Sequence, residues 1–408
     1  MSFRPRQLLG ALLALSLVLL LWWGLHFYLV SRLSSATGMA SPLLLWPALA
    51  LSVAYLLGRG VARFFRPAAH LLVWIGAVWM GVFCVLLSVV AVHDLFLLLP
   101  FERFASGRAP DWLLWSLRVA FGAGLLASAW GMRRALSGPR LRRLRVELAG
   151  LPQQGLRVAH LSDVHIGETI GKRYLAKVER VVREADADLV VLTGDLSDEH
   201  NGGDGSGFRM LASLPSRTGL VLACTGNHEL YAGGERSIDA MGAAGIRVLR
   251  QEHVLLDLGD GIPSLTVDGA RLATQGRRLV IAGIDDPQFP GGRPEQRLEA
   301  ALEGVDPAVP VLLLAHQPVG LEAIDALQRQ RRGESLSRHP SLLMLSGHTH
   351  GGQLPPIIWL SRLFYRYVRG LHRIGSVVLS VSNGTGYWGP PLRLGAPAEV
   401  VLYELRAA

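Results

Sequence analysis

Hydrophobic positions take two textures along the 408 residues. Up to residue 132 they run together. Stretches 8–30, 37–58 and 71–92 carry no Asp, Glu, Lys or Arg, and a fourth, 112–132, is interrupted only by Arg118. Each reaches the about 20 residues that a helix needs to cross a bilayer. An arginine near a helix end extends along its own apolar stem to the interface. Pro42 and Pro47 fall in the second stretch, where neighbouring helices can satisfy the freed backbone groups. Trp22, Trp23, Trp112 and Trp115 suit the aromatic belts at the two interfaces. The pattern predicts about four membrane helices filling 1–132.

From residue 156 the apolar runs become short and polar, glycine-rich segments separate them. Runs at 157–161, 189–192, 219–223, 279–282, 311–314, 342–345, 377–381 and 400–405 have the length and the Val, Leu and Ile content of buried strands. Between the first two, Leu175, Val178, Val181 and Val182 recur at helical spacing over 174–185. A strand–helix–strand opening predicts an α/β sheet. The segment 201–207 (NGGDGSG) reads as a flexible loop.

Charge separates the same two parts. Residues 1–150 hold 15 arginines, no lysine and four acids, so the net +9 of the chain belongs wholly to them and the remainder is slightly acidic. Nucleic-acid binding thereby loses its electrostatic support. Eleven arginines lie in the N-terminal tail, in 58–70 and in 133–145, against three in the other two loops (Arg32, Arg103 and Arg108). Cytoplasmic loops of membrane proteins carry the arginine excess, which predicts both ends of the membrane region, and the domain after it, on the cytoplasmic side. The stretch 133–155 reads as a basic juxtamembrane linker. Cys84 and Cys224 are too few for a disulfide framework.

Candidate chemistry sits where the apolar runs end. Asp163 and His165 follow the first, Asp195 and Asp198 the second, Asn227, His228 and Glu229 the third, His316 the run at 311–314, and His348 and His350 that at 342–345. In open α/β sheets the carboxyl ends of strands line the ligand crevice, so one site can collect them all. Carboxylate, amide and imidazole donors suit Mn²⁺, Fe or Zn²⁺. They exceed the four ligands of one tetrahedral zinc; two metals with a bridging carboxylate would use them. The spacing of two in Asp163/His165 and in His348/His350 would put each pair on one face of a continuing strand.

In this order, D-x-H, G-D-x-x-D, G-N-H-E, a lone His and G-H-x-H resemble the calcineurin-like metallophosphoesterases. The late segments GHTHGGQ and NGTGYWGPPLRLGAPAE are similar to the YkuE/YaeI-type bacterial branch. The resemblance covers 156–408 and implies a four-layer α-β-β-α sandwich with two divalent metals, manganese favoured. It implies one metal on Asp163, His165, Asp195 and His350, a second on Asp195, Asn227, His316 and His348, and Asp195 as the bridge. Catalysis would be attack of a metal-activated hydroxide on phosphorus, with His228 as general acid or phosphate stabiliser and Asp198 orienting its ring. Glu229 stands where the family commonly has Asp.

The implied function is a multi-pass enzyme of a bacterial inner membrane that hydrolyses a phosphodiester or pyrophosphate, with membrane lipids as surroundings. Similar bacterial proteins include enzymes that cleave the pyrophosphate of UDP-diacylglucosamine, which makes that reaction the sharper version. The alternatives are a broad phosphodiesterase on small or nucleotide esters, a non-catalytic metal-binding scaffold, and a transporter, the last disfavoured by spans with little charge. Asp285 and Asp286 precede Pro287 and read as a turn; Cys224 reads as strand packing, and His160, His200, His253, His339 and His372 as ordinary structural histidines. Segment 357–368 (IIWLSRLFYRYV) is either a core-packing insertion or lid, or a basic, aromatic stretch for a membrane interface. Nothing in the sequence sets the oligomeric state.

Overall fold

The computed structural model describes residues 5–62, 64–97, 111–198, 205–259, 263–266, 278–333 and 339–408. Arg4, Arg63, Arg103, Arg108, His200 and most of the glycine-rich loop lie outside them. The chain divides into two compact units, Met1–Gly131 and Met132–Ala408.

The first unit is helical: α1 (Pro5–Thr37), α2 (Ser41–Val61), α3 (Arg66–Leu97) and α4 (Asp111–Leu136), the last running a few residues into the second unit. All four are long and apolar enough to cross a membrane; α1, α3 and α4 extend past the sequence runs at both ends, whereas α2 starts at Ser41, inside the 37–58 run, and passes only its end. Leu17, Leu20, Trp46, Leu56 and Leu126 face outward, as lipid-facing side chains do. Arg118 donates from Nε to the carbonyl of Ala36, 2.6 Å away near the end of α1, so its charge sits level with a helix terminus.

The second unit runs β1 (Arg140–Leu148), β2 (Leu156–Leu161), α5 (Lys172–Ala185), β3 (Leu189–Thr193), α6 (Ser206–Ala212), β4 (Val221–Cys224), α7 (Asn227–Tyr231), α8 (Glu235–Ala243), β5 (Arg247–Val248), β6 (Glu252–Asp257) and β7 (Ser264–Thr266). It continues with β8 (Arg278–Gly283), α9 (Pro294–Ala301), β9 (Val311–Leu314), α10 (Leu321–Arg332), β10 (Leu342–Ser346), α11 (Ile357–Phe364), β11 (Gly370–Ile374), β12 (Val377–Val381) and β13 (Glu399–Ala407). One sheet has the order β1-β13-β2-β3-β4-β5 and the other β11-β12-β10-β9-β8-β6-β7.

Alternation within the strands builds the layers, because successive side chains point to opposite faces. Leu189 and Val191 of β3 join Leu312 and Leu314 of β9 in the core between the sheets. Val190 and Leu192 pack outward with Leu175, Val178 and Val182 of α5. Val311 and Leu313 turn to the opposite outer core with Leu298 of α9 and Ile324 of α10. The result is the α-β-β-α arrangement.

The stretch read as a linker needs correction. Residues Arg140–Leu148 are an edge strand paired in parallel with β13, from Arg140 opposite Glu399 to Leu148 opposite Ala407. Val146 and Leu148 are buried, while Arg142 and Arg145 reach Glu399 and Glu404 at 3.5 and 3.0 Å. Charged side chains on an edge strand also deter pairing with other chains. Four of the arginines counted toward membrane orientation therefore belong to a folded sheet.

Candidate metal centre

Strands β2, β3 and β4 are neighbours and parallel in one sheet, and β8, β9, β10 and β12 in the other. Their carboxyl ends open on one edge, and the structure brings all nine sequence-predicted site residues there. Three groups of side chains stand close enough to hold a metal ion: Asp163, His165 and His350; Asp195, His316 and His348; and His165, Asp195 and His228.

The local backbone departs from the expected one. Asp163, His165, Asp195, His348 and His350 all take left-handed conformations, with φ of 53°, 55°, 52°, 69° and 50°. Non-glycine residues rarely do so, and such conformations persist where surrounding structure enforces them. Strands β2 and β10 end at Leu161 and Ser346, so the paired ligands share a site through these turns and not through a continuing strand. The turns also pack against one another without room for a side chain. A Cβ on Gly226 would stand 2.2 Å from Asp195 Oδ1, and one on Gly347 2.1 Å from Asp163 Oδ2.

Asp195 occupies the middle. Its Oδ1 accepts the His228 backbone N–H at 2.8 Å, while Oδ2 lies 3.1 Å from His316 Nε2 and 3.9 Å from His165 Nε2. Asn227 Oδ1 and His348 Nδ1 are each 3.2 Å from His316 Nε2. On the other side His350 Nε2 lies 3.0 Å from His165 Nε2 and 3.4 Å from Asp163 Oδ1. Ring orientation comes from the far nitrogens. His316 Nδ1 donates to the Thr193 carbonyl at 2.8 Å and His165 Nδ1 to Asp198 at 2.6 Å, leaving Nε2 lone pairs directed inward, the usual second contact of a metal-ligating histidine.

Electrostatics match a cation site. Burial works to lower the His165 pKa, but Asp198, Asp195 and Asp163 outweigh it and raise it to about 9. His316 is likewise raised well above its ordinary value, its desolvation outweighed by Asp195, Asp163 and Asp286. Desolvation, then the neighbouring His316, lowers His348 to about 4, and desolvation followed by His165 and Arg393 keeps His350 far below its usual value. Burial would raise Asp195, yet His316, His165 and His228 hold it well below the ordinary carboxylate range. Carboxylates that draw protons onto buried imidazoles draw divalent cations by the same field. The oxygen and nitrogen donors, grouped twice around Asp195 Oδ2, fit two such ions.

His228 stands at the rim, half-buried, its ring centroid 5.3 Å from that of Tyr231 and 6.4 Å from that of Trp388. Its Nδ1 lies 2.7 Å from Asp198 Oδ1. Asp198 therefore orients two rings, His165 and His228, where the sequence suggested one.

Three further residues make contacts at the site that the motifs did not assign to them. Glu229 is fully buried and accepts three backbone N–H bonds, from Gly226 and Asp195 on Oε2 (2.7 and 2.9 Å) and from Leu196 on Oε1 (2.8 Å). It ties the turn after β3 to the turn after β4. Arg393 is buried, donates to the carbonyls of Gly386, His350, Asn383 and Ala396, and sets Nη2 3.2 Å from His350 Nδ1. Tyr365 places its hydroxyl 2.7 Å from His348 Nε2. Glu229 and Arg393 lie within motifs already singled out, but the spacing of those motifs does not reveal bonds to backbone. Of the remaining acids, Asp285 binds Arg250 and Thr225, and Asp286 closes a turn onto the Gln288 N–H at 2.9 Å. Cys224 is buried in β4 with its thiol pKa pushed up by burial. His160 meets the Thr193 hydroxyl at 2.7 Å and His253 the Ala301 carbonyl at 2.7 Å.

Glu229→Ala leaves three buried N–H groups without acceptors, each costing about 1–3 kcal/mol. The expected result is a lower thermal unfolding midpoint together with reduced metal content; an unchanged midpoint would mean the two turns hold each other without the carboxylate.

Comparison with known proteins points the same way. Residues 156–352 match the family model described as calcineurin-like phosphoesterase. Over 291 residues the chain is 31% identical to a zebrafish (Danio rerio) transmembrane protein with metallophosphoesterase domain, covering 69% of this chain and 60% of that protein. It is 32% identical over 276 residues to a metallophosphoesterase of Aquifex aeolicus, covering 65% of this chain and 92% of that one. With the metallophosphoesterase YkuE of Bacillus subtilis it shares 28% identity over 265 residues, 62% of this chain and 80% of that protein.

Proposed function

This chain belongs to the calcineurin-like phosphoesterase family, and on that premise we propose that it is a membrane-anchored, two-metal phosphoesterase. Its substrate would be a phosphodiester or pyrophosphate carried on a lipid, UDP-diacylglucosamine being the specific case. The observation that carries the reading is the position of Asp195 Oδ2 between the two ligand groups, with His228 next to it at the solvent edge.

Asp163, His165 and His350 would hold one ion, Asn227, His316 and His348 the other, and Asp195 both. Ions there would supply Lewis acidity and a water of lowered pKa; the carboxylate, amide and imidazole donors suit manganese, iron or zinc, and manganese is the ion proposed. The chain's own contribution is placement. Thr193, Asp198 and Tyr365 fix the outer nitrogens of three ligand rings. His228, held by Asp198, has Nε2 directed away from that carboxylate, ready to protonate a leaving oxygen or to bind a phosphate oxygen. Four helices able to cross a membrane support a lipid-linked substrate over a freely diffusing one. The arginine excess, including Arg133 and Arg134 in the last turn of α4, supports an inner-membrane protein with its catalytic domain in the cytoplasm.

The test is an assay of the detergent-purified chain with Mn²⁺ on bis-p-nitrophenyl phosphate, UDP-diacylglucosamine and phospholipids. Metal-dependent cleavage of UDP-diacylglucosamine is expected. Cleavage of the nitrophenyl ester alone would indicate a broad phosphodiesterase, and no turnover of any of the three a metal-binding scaffold.

A further inference from the structure

Most large apolar side chains of the second unit are interior. Among its described residues, eight are exposed, and five of these lie on the single short helix α11: Ile357, Trp359, Leu360, Leu363 and Phe364. Leu363 and Phe364 are 77% and 80% exposed, and within α11 only Ser361 is buried. The core-packing reading of this segment is thereby excluded. An exposed apolar cluster of this density marks an interaction surface.

Its surroundings are basic. Residues 357–369 contain Arg362, Arg366 and Arg369 and no acid. The three arginines, with Gly351, Ile358, Tyr365 and Val368, line a cavity of about 340 Å³ behind the helix. Arg366 pairs with Glu322 at 2.8 Å, an exposed contact of the kind that contributes little and yields to a better partner. Arg369 reaches the Gly395 carbonyl at 2.7 Å. The cavity adjoins the metal centre, since Tyr365 lines it and meets His348.

We infer that α11 and the arginines behind it dock on an anionic lipid bilayer, the apolar residues entering the acyl boundary and the guanidinium groups meeting phosphate headgroups. A tryptophan, a phenylalanine and leucines on one short helix with arginines beside them have the composition of an interfacial helix. The same chain carries helices able to cross a membrane, so a lipid surface is always within its reach, and basic residues complement an anionic leaflet. The inference goes beyond the catalytic reading and does not depend on which bond is cut.

The test uses the full chain in liposomes of phosphatidylglycerol and phosphatidylcholine in equal parts, on a Cys84→Ala, Cys224→Ala background. An environment-sensitive fluorophore is attached at Leu363→Cys and, as control, at the exposed position Gln330→Cys on α10. With doxyl-labelled lipid present, the label at 363 is expected to lose most of its emission and the label at 330 little. Replacing Arg362, Arg366 and Arg369 by glutamine, or phosphatidylglycerol by phosphatidylcholine, should weaken the loss at 363. Equal quenching at both positions overturns the proposal. So does cross-linking between 363 labels of two copies without lipid quenching, which would assign the face to a second copy. Because the signal requires no turnover, an inactive enzyme with a quenched label refutes only the catalytic reading.

Discussion

Asp195→Asn is expected to lose metal and turnover together, with kcat reduced by about three orders of magnitude or more, the scale of losing several kcal/mol of Lewis-acid stabilisation. The reason is positional. Asp195 Oδ1 is committed to the His228 N–H at 2.8 Å, and Oδ2 faces both ligand groups. An asparagine can supply only one oxygen. If that oxygen stays on the His228 N–H, an amide NH₂ points at the place a cation would take; if the amide turns over, it opposes a backbone N–H. Either way a negative charge disappears from the centre of the field that raises His165 and His316. Asparagine tolerates the left-handed backbone of this position, so the fold should survive. Metal per chain by elemental analysis, kcat, and the unfolding midpoint separate the effects. Full metal occupancy with lost activity would show that the two ions do not share this carboxylate.

The positions of the candidate ligands could be read from the chain because they follow apolar strands, and a buried strand announces itself through consecutive Val and Leu residues. Leu189–Thr193 and Leu342–Ser346 are such cases, and the residues after them were located by counting. What escaped was decided by partners distant in sequence. In β1 Leu144, Val146 and Leu148 alternate with Arg145 and Glu147 only after the arginine-rich start of the segment (Arg140, Arg142 and Arg143), and it becomes a strand because β13, more than 250 residues later, pairs with it. Asp163 and His165 have strand-like spacing, yet Asp163 accepts the His348 N–H and the His165 N–H donates to the Asp195 carbonyl at 3.0 Å, contacts that hold the turn left-handed. The role of Glu229 depends on three N–H groups in two turns, and no local pattern encodes those. For α11 the amphipathic composition was plain, but only the packed fold shows that its apolar side is left uncovered.

His228→Ala is expected to lower kcat by about 10²–10⁴, the range for removing a positioned general acid, while metal content stays at the level of the unaltered protein. The separation follows from which atoms each function uses. Asp195 is held by the backbone N–H of His228, and alanine keeps that bond. Asp198 keeps its bond to His165 Nδ1 at 2.6 Å, so the ligand rings remain oriented. Only the half-buried imidazole at the rim is lost. Asp198→Asn provides the contrast: Asp198 accepts from both His165 and His228, so its replacement should reduce metal retention as well as turnover. The competing assignment comes from the same geometry, because His165, Asp195 and His228 also stand close enough to share an ion. If His228→Ala lost as much metal as Asp195→Asn, His228 would be a ligand and the proton donor would have to be sought elsewhere along the rim. Intact metal with depressed turnover would support His228 on the substrate side of the centre, at the rim beside Tyr231 and Trp388.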